Sequence, residues 1–223
     1  MKRLTSLFLL IVFFAPLCAQ HNFDQKLVEA YQKEAGDHAA LYYAPLEQPF
    51  NMTRWANDPF WAGQEGTRGS ICYDGIVYDN VLMRFNVAEQ QLAVATPENN
   101  ILVAPNMSKV SYFVLFGKLF EIIDGLYACQ EYANNGVELW NAKKKIKGQD
   151  VLKGLRSFYS YNEIDIFYLK KDGVLYPVKK AKDIIRLFPA QEKKLKKVLR
   201  QGDFSMQSDR RTEMLFILNN LSN

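Results

Sequence analysis

The sequence predicts an α+β fold, in which an antiparallel, hairpin-built β-sheet region carries helices from the C-terminal end of the chain. Apolar and polar residues alternate along most of residues 70–178, as they do in half-buried strands. One turn unit recurs there as DGIVY at Asp74, NGVEL at Asn135 and DGVLY at Asp172, and such Asp-Gly and Asn-Gly pairs favour tight hairpin turns. From residue 179 onward the apolar spacing becomes helical. The pattern does not decide whether this sheet curls into a partial barrel or splits into two layers.

The chain begins with the pattern of a cleavable signal peptide, which we assign to residues 1–19. Lys2 and Arg3 precede an apolar run over residues 7–15, and a proline and the small residue Ala19 follow it. This is the usual order of regions in a secretory signal. The run is shorter than the roughly 20 residues of a transmembrane helix. We therefore expect an exported chain.

Two further expectations depend on the apolar runs of the chain. No later run approaches the length of a membrane span, so none is expected in the mature chain. The alternative to cleavage after Ala19 is a lipid anchor on Cys18. Leu17 counts against that anchor, because a small residue normally precedes a lipidated cysteine.

Residues 20–69 are expected to form a short helix and then an irregular segment rich in aromatic residues. Leu27, Val28 and Tyr31 have helical spacing before the glycine at 36. The rings that follow either cover the open end of the sheet or stack on a sugar or a protein partner, because tryptophan and tyrosine combine a large apolar face with a polar edge. The candidate binding residues of this segment are Tyr42, Tyr43, Arg54, Trp55, Phe60 and Trp61.

The first hairpin, GSICYDGIVYDNVLMRFNV at residues 69–87, contains one position that alternation does not explain. After the turn, every second residue is expected on one apolar face, and Asp79 falls on that face. If this stretch has a function, Asp79 is the first residue to test. The apolar residues of the same face are Val77, Val81, Met83, Phe85 and Val87.

Residues 179–223 are expected to form helices that cover the sheet, and one of these helices is strongly basic. In PAQEKKLKKVLRQ, Leu195, Val198 and Leu199 lie on one side, and the basic residues lie on the other. Such a face is usually solvated, and the alternative is that it rests on anionic lipid headgroups or another polyanion. The basic residues are Lys193, Lys194, Lys196, Lys197 and Arg200.

Charge is unevenly distributed along the chain. Residues 20–140 contain 7 basic and 15 acidic residues, a net charge of −8, whereas residues 141–223 contain 19 and 9, a net charge of +10. Such asymmetry favours either attraction between the two halves or an anionic partner. We expect one domain over residues 20–223, made of the segments 20–69, 70–178 and 179–223.

Cys72 and Cys129 remain after removal of the signal peptide. In an oxidising compartment an even pair of cysteines is a candidate disulfide. Closing the loop between them is worth about 4 kcal/mol in the chain-entropy model. The alternative is two buried free thiols, because free cysteine is among the most buried residues. The sequence leaves both alternatives open.

Few residues are available for catalysis or for metal binding. The chain has two histidines, His21 and His38, which are too few beside two distant cysteines for a Cys/His zinc site. It lacks a G-x-S-x-G or Cys-His signature, a G-x-G-x-x-G loop and a nucleic-acid-binding motif. We expect no metal, no cofactor and no nucleic-acid partner. The remaining catalytic candidate is a carboxylate pair such as Glu163 and Asp165, which share one strand face.

The order of sequence motifs along this chain is similar to that of a known group of proteins. GSICYDGIVYDNVLMRFNV, QLAVATPENN, VSYFVLFGKLFEII, FYLKKDGVLYPVKKAKDIIRLFP and KKLKKVLRQ follow one another along residues 41–221. In this order the chain resembles a group of uncharacterised exported β-rich proteins of Bacteroidetes-type bacteria. These motifs are turn and core patterns, so the resemblance implies no functional residue. It implies a bacterial envelope location, either periplasmic, secreted or associated with the outer membrane.

The leading hypothesis is a non-catalytic protein that binds or organises an envelope component, whether a protein, a glycan or an anionic lipid surface. The scarcity of metal ligands and nucleophile motifs favours it. The first alternative is a carbohydrate-binding module that uses the aromatic segment 42–61, which requires exposed and roughly coplanar tryptophans. The second is a hydrolase that uses carboxylates alone, which requires two carboxylates facing each other in a cleft.

Overall fold

The computed structural model describes residues 25–153, 156–202, 204 and 209–221. The expected signal peptide and Cys18 lie outside the described residues. The strands are β1 Thr67–Tyr73, β2 Ile76–Asn86, β3 Gln91–Ala95, β4 Leu102–Val103, β5 Val110–Leu115, β6 Lys118–Ile123, β7 Leu126–Asn134, β8 Val137–Lys147, β9 Val151–Lys153, β10 Arg156–Phe158, β11 Tyr161–Lys171 and β12 Val174–Val178. The α-helices are α1 Gln25–Ala35, α2 Ala181–Arg186, α3 Glu192–Gln201 and α4 Arg210–Asn219, and short 3-10 turns cover Gly36–His38, Met52–Arg54, Met107–Lys109 and Pro189–Gln191.

The α+β prediction is confirmed. Ten antiparallel strands form one open sheet in the order β12-β11-β8-β7-β6-β5-β1-β2-β3-β4, and β9 pairs with β10 in a separate ribbon. The three predicted turns join β1 to β2, β7 to β8 and β11 to β12. In each of them the Asp or Asn and the following glycine both have positive φ, as a type I′ turn requires.

The prediction of which residues of β2 face the core is wrong for the first half of the strand, because β2 contains a bulge. Gly69 pairs with Val81 and Ile71 pairs with Tyr78, so two residues of β2 oppose one residue of β1. Asn80 occupies the left-handed region with φ of 57°, where asparagine is tolerated better than most residues. The extra residue turns Tyr78 inward and leaves Asp79 exposed. The aspartate therefore does not face the core.

Two apolar cores lie on the same face of the sheet, which we call the inner face. The first core lies against β1 to β7, and the second lies between β8, β11 and the C-terminal helices. Cys129 of the first core pairs with Asn141, and Asn141 shares its face with Leu139 of the second core because side chains alternate along β8. Large residues of the first core are Phe85, Phe113, Phe120 and Tyr127, and those of the second core are Leu139, Phe167, Ile184, Met214 and Leu218.

The C-terminal helices pack on the sheet as predicted, because each presents apolar residues to the second core. Ile184 of α2, Leu195 of α3 and Met214 of α4 are all buried there. Asp209 caps α4 by accepting a hydrogen bond from the backbone N–H of Arg211 at 3.1 Å. Among the described residues, no helix has the length and apolar composition that crossing a membrane requires.

Candidate functional site

A pocket of about 270 Å³ opens on the inner face between the two cores. We call it the charged pocket. Strands β6, β7, β8 and β11 contribute to it, together with the start of α4 and the segment that precedes β1. Its lining residues are Trp61, Lys118, Glu131, Asn141, Lys143, Asp165, Asp209 and Arg211.

Glu131 is the buried acid of the charged pocket, and its side chain is 4% exposed. It lies at a bulge of β7, where the register with β8 shifts between Gln130 and Tyr132. Its Oε2 accepts hydrogen bonds from Lys118 Nζ at 2.9 Å and from Arg211 Nη2 at 2.6 Å. Burial alone would raise the pKa of Glu131, but these two cations outweigh burial and lower that pKa. The carboxylate is therefore ionised at neutral pH.

Asn141 lines the pocket and has a buried acceptor without a partner. The residue is 1% exposed, and its Nδ2 donates a hydrogen bond to Asp165 Oδ1 at 3.0 Å. Within the described part of the chain, no group donates to Asn141 Oδ1. A buried acceptor without a donor costs about 1–3 kcal/mol. A ligand that donates a hydrogen bond to this oxygen would recover that free energy.

Lys143 joins the acids of the pocket to its aromatic wall. Its ammonium forms ion pairs with Glu163 and, at 3.5 Å, with Asp165. It also lies 5.1 Å from the centre of the Trp61 ring, within the range of a cation–π contact. Burial alone would lower the pKa of Lys143, but the two carboxylates outweigh burial and raise it. The amine is therefore protonated at neutral pH and cannot act as a base.

Trp61 forms an apolar wall of the charged pocket. Its backbone N–H donates to the carbonyl of Phe85 at 2.9 Å. Its indole packs edge-to-face on Phe120, with the ring centroids 4.9 Å apart and the planes at 87°. The residue is half-buried and lines the pocket. The pocket thus combines one flat apolar surface with closely spaced donors and acceptors.

The six candidate residues of the aromatic segment do not form one surface. Tyr42 packs against the first core, Tyr43 is 89% exposed and Phe60 is buried. Arg54 is exposed at the 3-10 turn.

Trp55 belongs to a different ring cluster from Trp61. Its indole stacks on Tyr161 with the ring centroids 4.3 Å apart and the planes at 8°, and it also contacts Phe50 and Tyr159. One face of Trp55 is therefore covered by protein. Of the six candidates, Trp61 alone lines the charged pocket.

The basic residues predicted on the C-terminal helix are all exposed on α3. Leu195 is buried on the opposite side of this helix. These cations lie on a different surface from the charged pocket, so the structure does not bring the two sets of candidates together.

Cys72 and Cys129 are both buried, and no disulfide joins them in the structure. In the strand register, Cys72 pairs with Tyr112 of β5. Cys129 pairs with Phe120 of β6, which in turn pairs with Phe113 of β5, the residue after Tyr112. The two cysteines therefore face opposite sides of the sheet, and three strand spacings separate them, about 14 Å. A disulfide requires Cα atoms within about 7 Å of each other.

The carboxylate pair suggested by the sequence meets a cation rather than an open cleft. Glu163 and Asp165 both pair with Lys143, and Asp165 also accepts from Asn141. Asp79 lines another pocket, of about 320 Å³, beside Arg68. Among the described residues, no group of three or more histidines, cysteines and acids is arranged to hold a metal ion.

Sequence analysis did not single out Lys118, Glu131, Asn141, Lys143 or Arg211 as site residues. A signal for three of them exists in the alternation of the strands. Glu131 follows Tyr127 and Cys129 at intervals of two, and Asn141 and Lys143 follow Leu139 in the same way. Polar residues in the register of a core face therefore mark the charged pocket. Lys118 and Arg211 carry no comparable signal.

Comparison with known proteins finds no match for this chain among protein-family models, curated proteins or solved structures.

Proposed function

We propose that this protein is a non-catalytic binding protein of a bacterial cell envelope, and that the charged pocket takes a small, hydroxyl-rich ligand such as a saccharide. The observation that carries the proposal is the buried, unpartnered Oδ1 of Asn141. The envelope location rests on the signal peptide predicted for residues 1–19 and on the resemblance to exported bacterial proteins.

The chemistry of the lining supports a neutral polar ligand. The pocket contains three cations, Lys118, Lys143 and Arg211, and three carboxylates, Glu131, Asp165 and Asp209. Equal numbers of each sign disfavour a strongly charged ligand. Hydroxyl groups donate and accept at the same time, so a saccharide can satisfy Asn141 Oδ1 and the neighbouring ammonium and carboxylate groups together.

Trp61 adds the apolar contact that saccharide recognition needs. A sugar ring has a face of C–H groups, and an indole offers a large flat surface against which such a face can pack. The Lys143 ammonium lies over one face of the same ring, 5.1 Å from its centre, which leaves the opposite face for a sugar. A hydroxyl at the edge of a stacked sugar would therefore lie within reach of a charged group.

The charge state of Glu131 disfavours this residue as the acid of a glycoside hydrolase. Glycoside hydrolysis by two carboxylates requires one of them to be protonated at working pH. Glu131 has a lowered pKa, and its Oε2 already accepts from two cations. Burial raises the pKa of the Cys129 thiol to about 12, so this cysteine is not a thiolate nucleophile.

A printed array of mono- and oligosaccharides, probed with the mature protein, tests the proposal. We expect binding to at least one saccharide, and we expect Trp61→Ala to abolish it. Trp55→Ala is the matched control, because Trp55 stacks on Tyr161 outside the charged pocket and its removal should leave binding intact. Failure to bind any saccharide, together with recovery of a protein partner from the native envelope, would favour a scaffolding role instead.

A further inference from the structure

A second surface, distinct from the charged pocket, lies at the C-terminal end of the molecule. Between residues 179 and 200 the chain contains nine basic and two acidic residues. Seven of the basic residues are exposed on the two neighbouring helices α2 and α3, and we call this surface the basic face. Its residues are Lys182, Arg186, Lys193, Lys194, Lys196, Lys197 and Arg200.

The apolar side of α3 is already used by the fold. Leu195 is buried, and Val198 and Leu199 pack against the second core. The lysines and the arginine of α3 point the opposite way, because they occupy the other side of the helical wheel. The helix therefore presents charge outward and has no free apolar stripe to insert into a bilayer.

Attraction between the acidic and basic halves of the chain does not account for this charge. In the part of the chain that the structure describes, Lys145, Lys170 and Arg211 form ion pairs between the two halves, and these three residues lie outside the basic face. Arg186 and Lys196 pair with acids on their own helices, at 3.3 Å and 2.5 Å. Even with Lys194 left out of the count, the basic face keeps a net positive charge of about four, from its other six cations against these two acids.

A groove of about 480 Å³ runs between α2 and α3 within the basic face. Cations line it, and the side chains of Ile185 and Leu199 lie among them. Ile185 is itself part of the second core. The groove thus offers positive charge next to a small apolar surface. The cations of the groove are Lys182, Arg186, Lys196 and Arg200, with Glu192 beside them.

We propose that the basic face docks the protein on an anionic phospholipid surface, with a headgroup phosphate held in the groove between α2 and α3. Lysine and arginine bind phosphate oxygens through charge-assisted hydrogen bonds, and basic clusters are attracted to anionic leaflets. The apolar residues of the groove suit the glycerol carbons beneath a headgroup. A nucleic acid would gain no base stacking from the described lining of the groove, which contains no aromatic ring.

Vesicle flotation tests this docking, which does not depend on the proposed saccharide binding. The mature protein is expected to float with phosphatidylcholine vesicles that contain phosphatidylglycerol, and not with phosphatidylcholine alone. High salt should release it, because the Debye length falls from about 10 Å at 0.1 M to 3 Å at 1 M. The triple variant K193E/K197E/R200E should bind the anionic vesicles at least about a hundredfold more weakly than the wild type, since each basic residue contributes about fivefold to the affinity.

The matched control is K33E/R54E/K144E, which makes the same change of net charge at exposed residues outside the basic face. It should retain most of the binding, and both variants should keep the melting temperature of the wild type because the substituted side chains are exposed. Equal loss in both variants, or binding to pure phosphatidylcholine, would overturn the proposal. So would tighter binding to duplex DNA than to the anionic vesicles at the same salt concentration.

Discussion

Replacing Glu131 with glutamine tests whether the charged pocket is held together by its buried carboxylate. Glu131 is 4% exposed, whereas its two cationic partners are each 37% exposed at the side chain. Removing one member of a buried ion pair costs about 3–5 kcal/mol. Because Lys118 and Arg211 can turn toward water, we expect a smaller loss of about 2 kcal/mol in the free energy of unfolding.

The assay is urea unfolding of both proteins at a series of pH values. With a urea m-value of about 2 kcal/mol/M, a loss of 2 kcal/mol lowers the midpoint by about 1 M. Glu65→Gln is the control, since this exposed glutamate should change the free energy of unfolding by less than about 0.5 kcal/mol.

The pH dependence gives the sign of the effect. The folded-state pKa of Glu131 is lowered, so its contribution is fully present above the unfolded pKa of about 4.3 and is lost as the pH falls through the folded-state pKa. The difference between wild type and Glu131→Gln should therefore shrink in acid. A difference that is absent at neutral pH, or that stays constant into acid, would refute the reasoning.

Three further outcomes are expected from the fold. Thiol labelling of the denatured, unreduced mature protein should find both Cys72 and Cys129 free, and two protected sulfurs would contradict the structure. Gly69→Ala should lower the free energy of unfolding by more than about 2 kcal/mol in urea, because a Cβ there would lie 2.0 Å from the carbonyl oxygen of Val114; a change below about 0.5 kcal/mol would contradict this packing. Asn80→Val should lose about 1–2 kcal/mol relative to Asn80→Gly, since φ is 57° at this bulge, and equal urea midpoints would argue against the bulge.

The strands and hairpins of this protein are predictable because their signals are local. Asp74, Asn135 and Asp172 each precede a glycine, and such a pair adopts a type I′ turn almost regardless of its surroundings. The bulge of β2 is not predictable in the same way. It depends on how Asn80 meets β1 across the sheet, and a one-residue change of register moves every following side chain to the other face.

The charged pocket was harder to predict than the fold, because its residues come from elements far apart in the chain. Glu131 and Arg211 meet only when α4 packs on the sheet, which no local pattern specifies. The prediction of one binding surface from the aromatic segment 42–61 is wrong for a related reason. Trp55 and Trp61 are close in sequence, but the first stacks on Tyr161 and the second packs edge-to-face on Phe120.

Calorimetric titration of Asn141→Leu with the best saccharide from the array tests the central claim most directly. Leucine has a similar size and removes both the unpartnered Oδ1 and the hydrogen bond to Asp165, which keeps Lys143 as a partner. We therefore expect affinity to fall at least tenfold while the urea midpoint changes little. Loss of binding with retained stability would separate a ligand-binding role of Asn141 from a structural one. Retained saccharide affinity in this variant would contradict the claim that the charged pocket is the binding site.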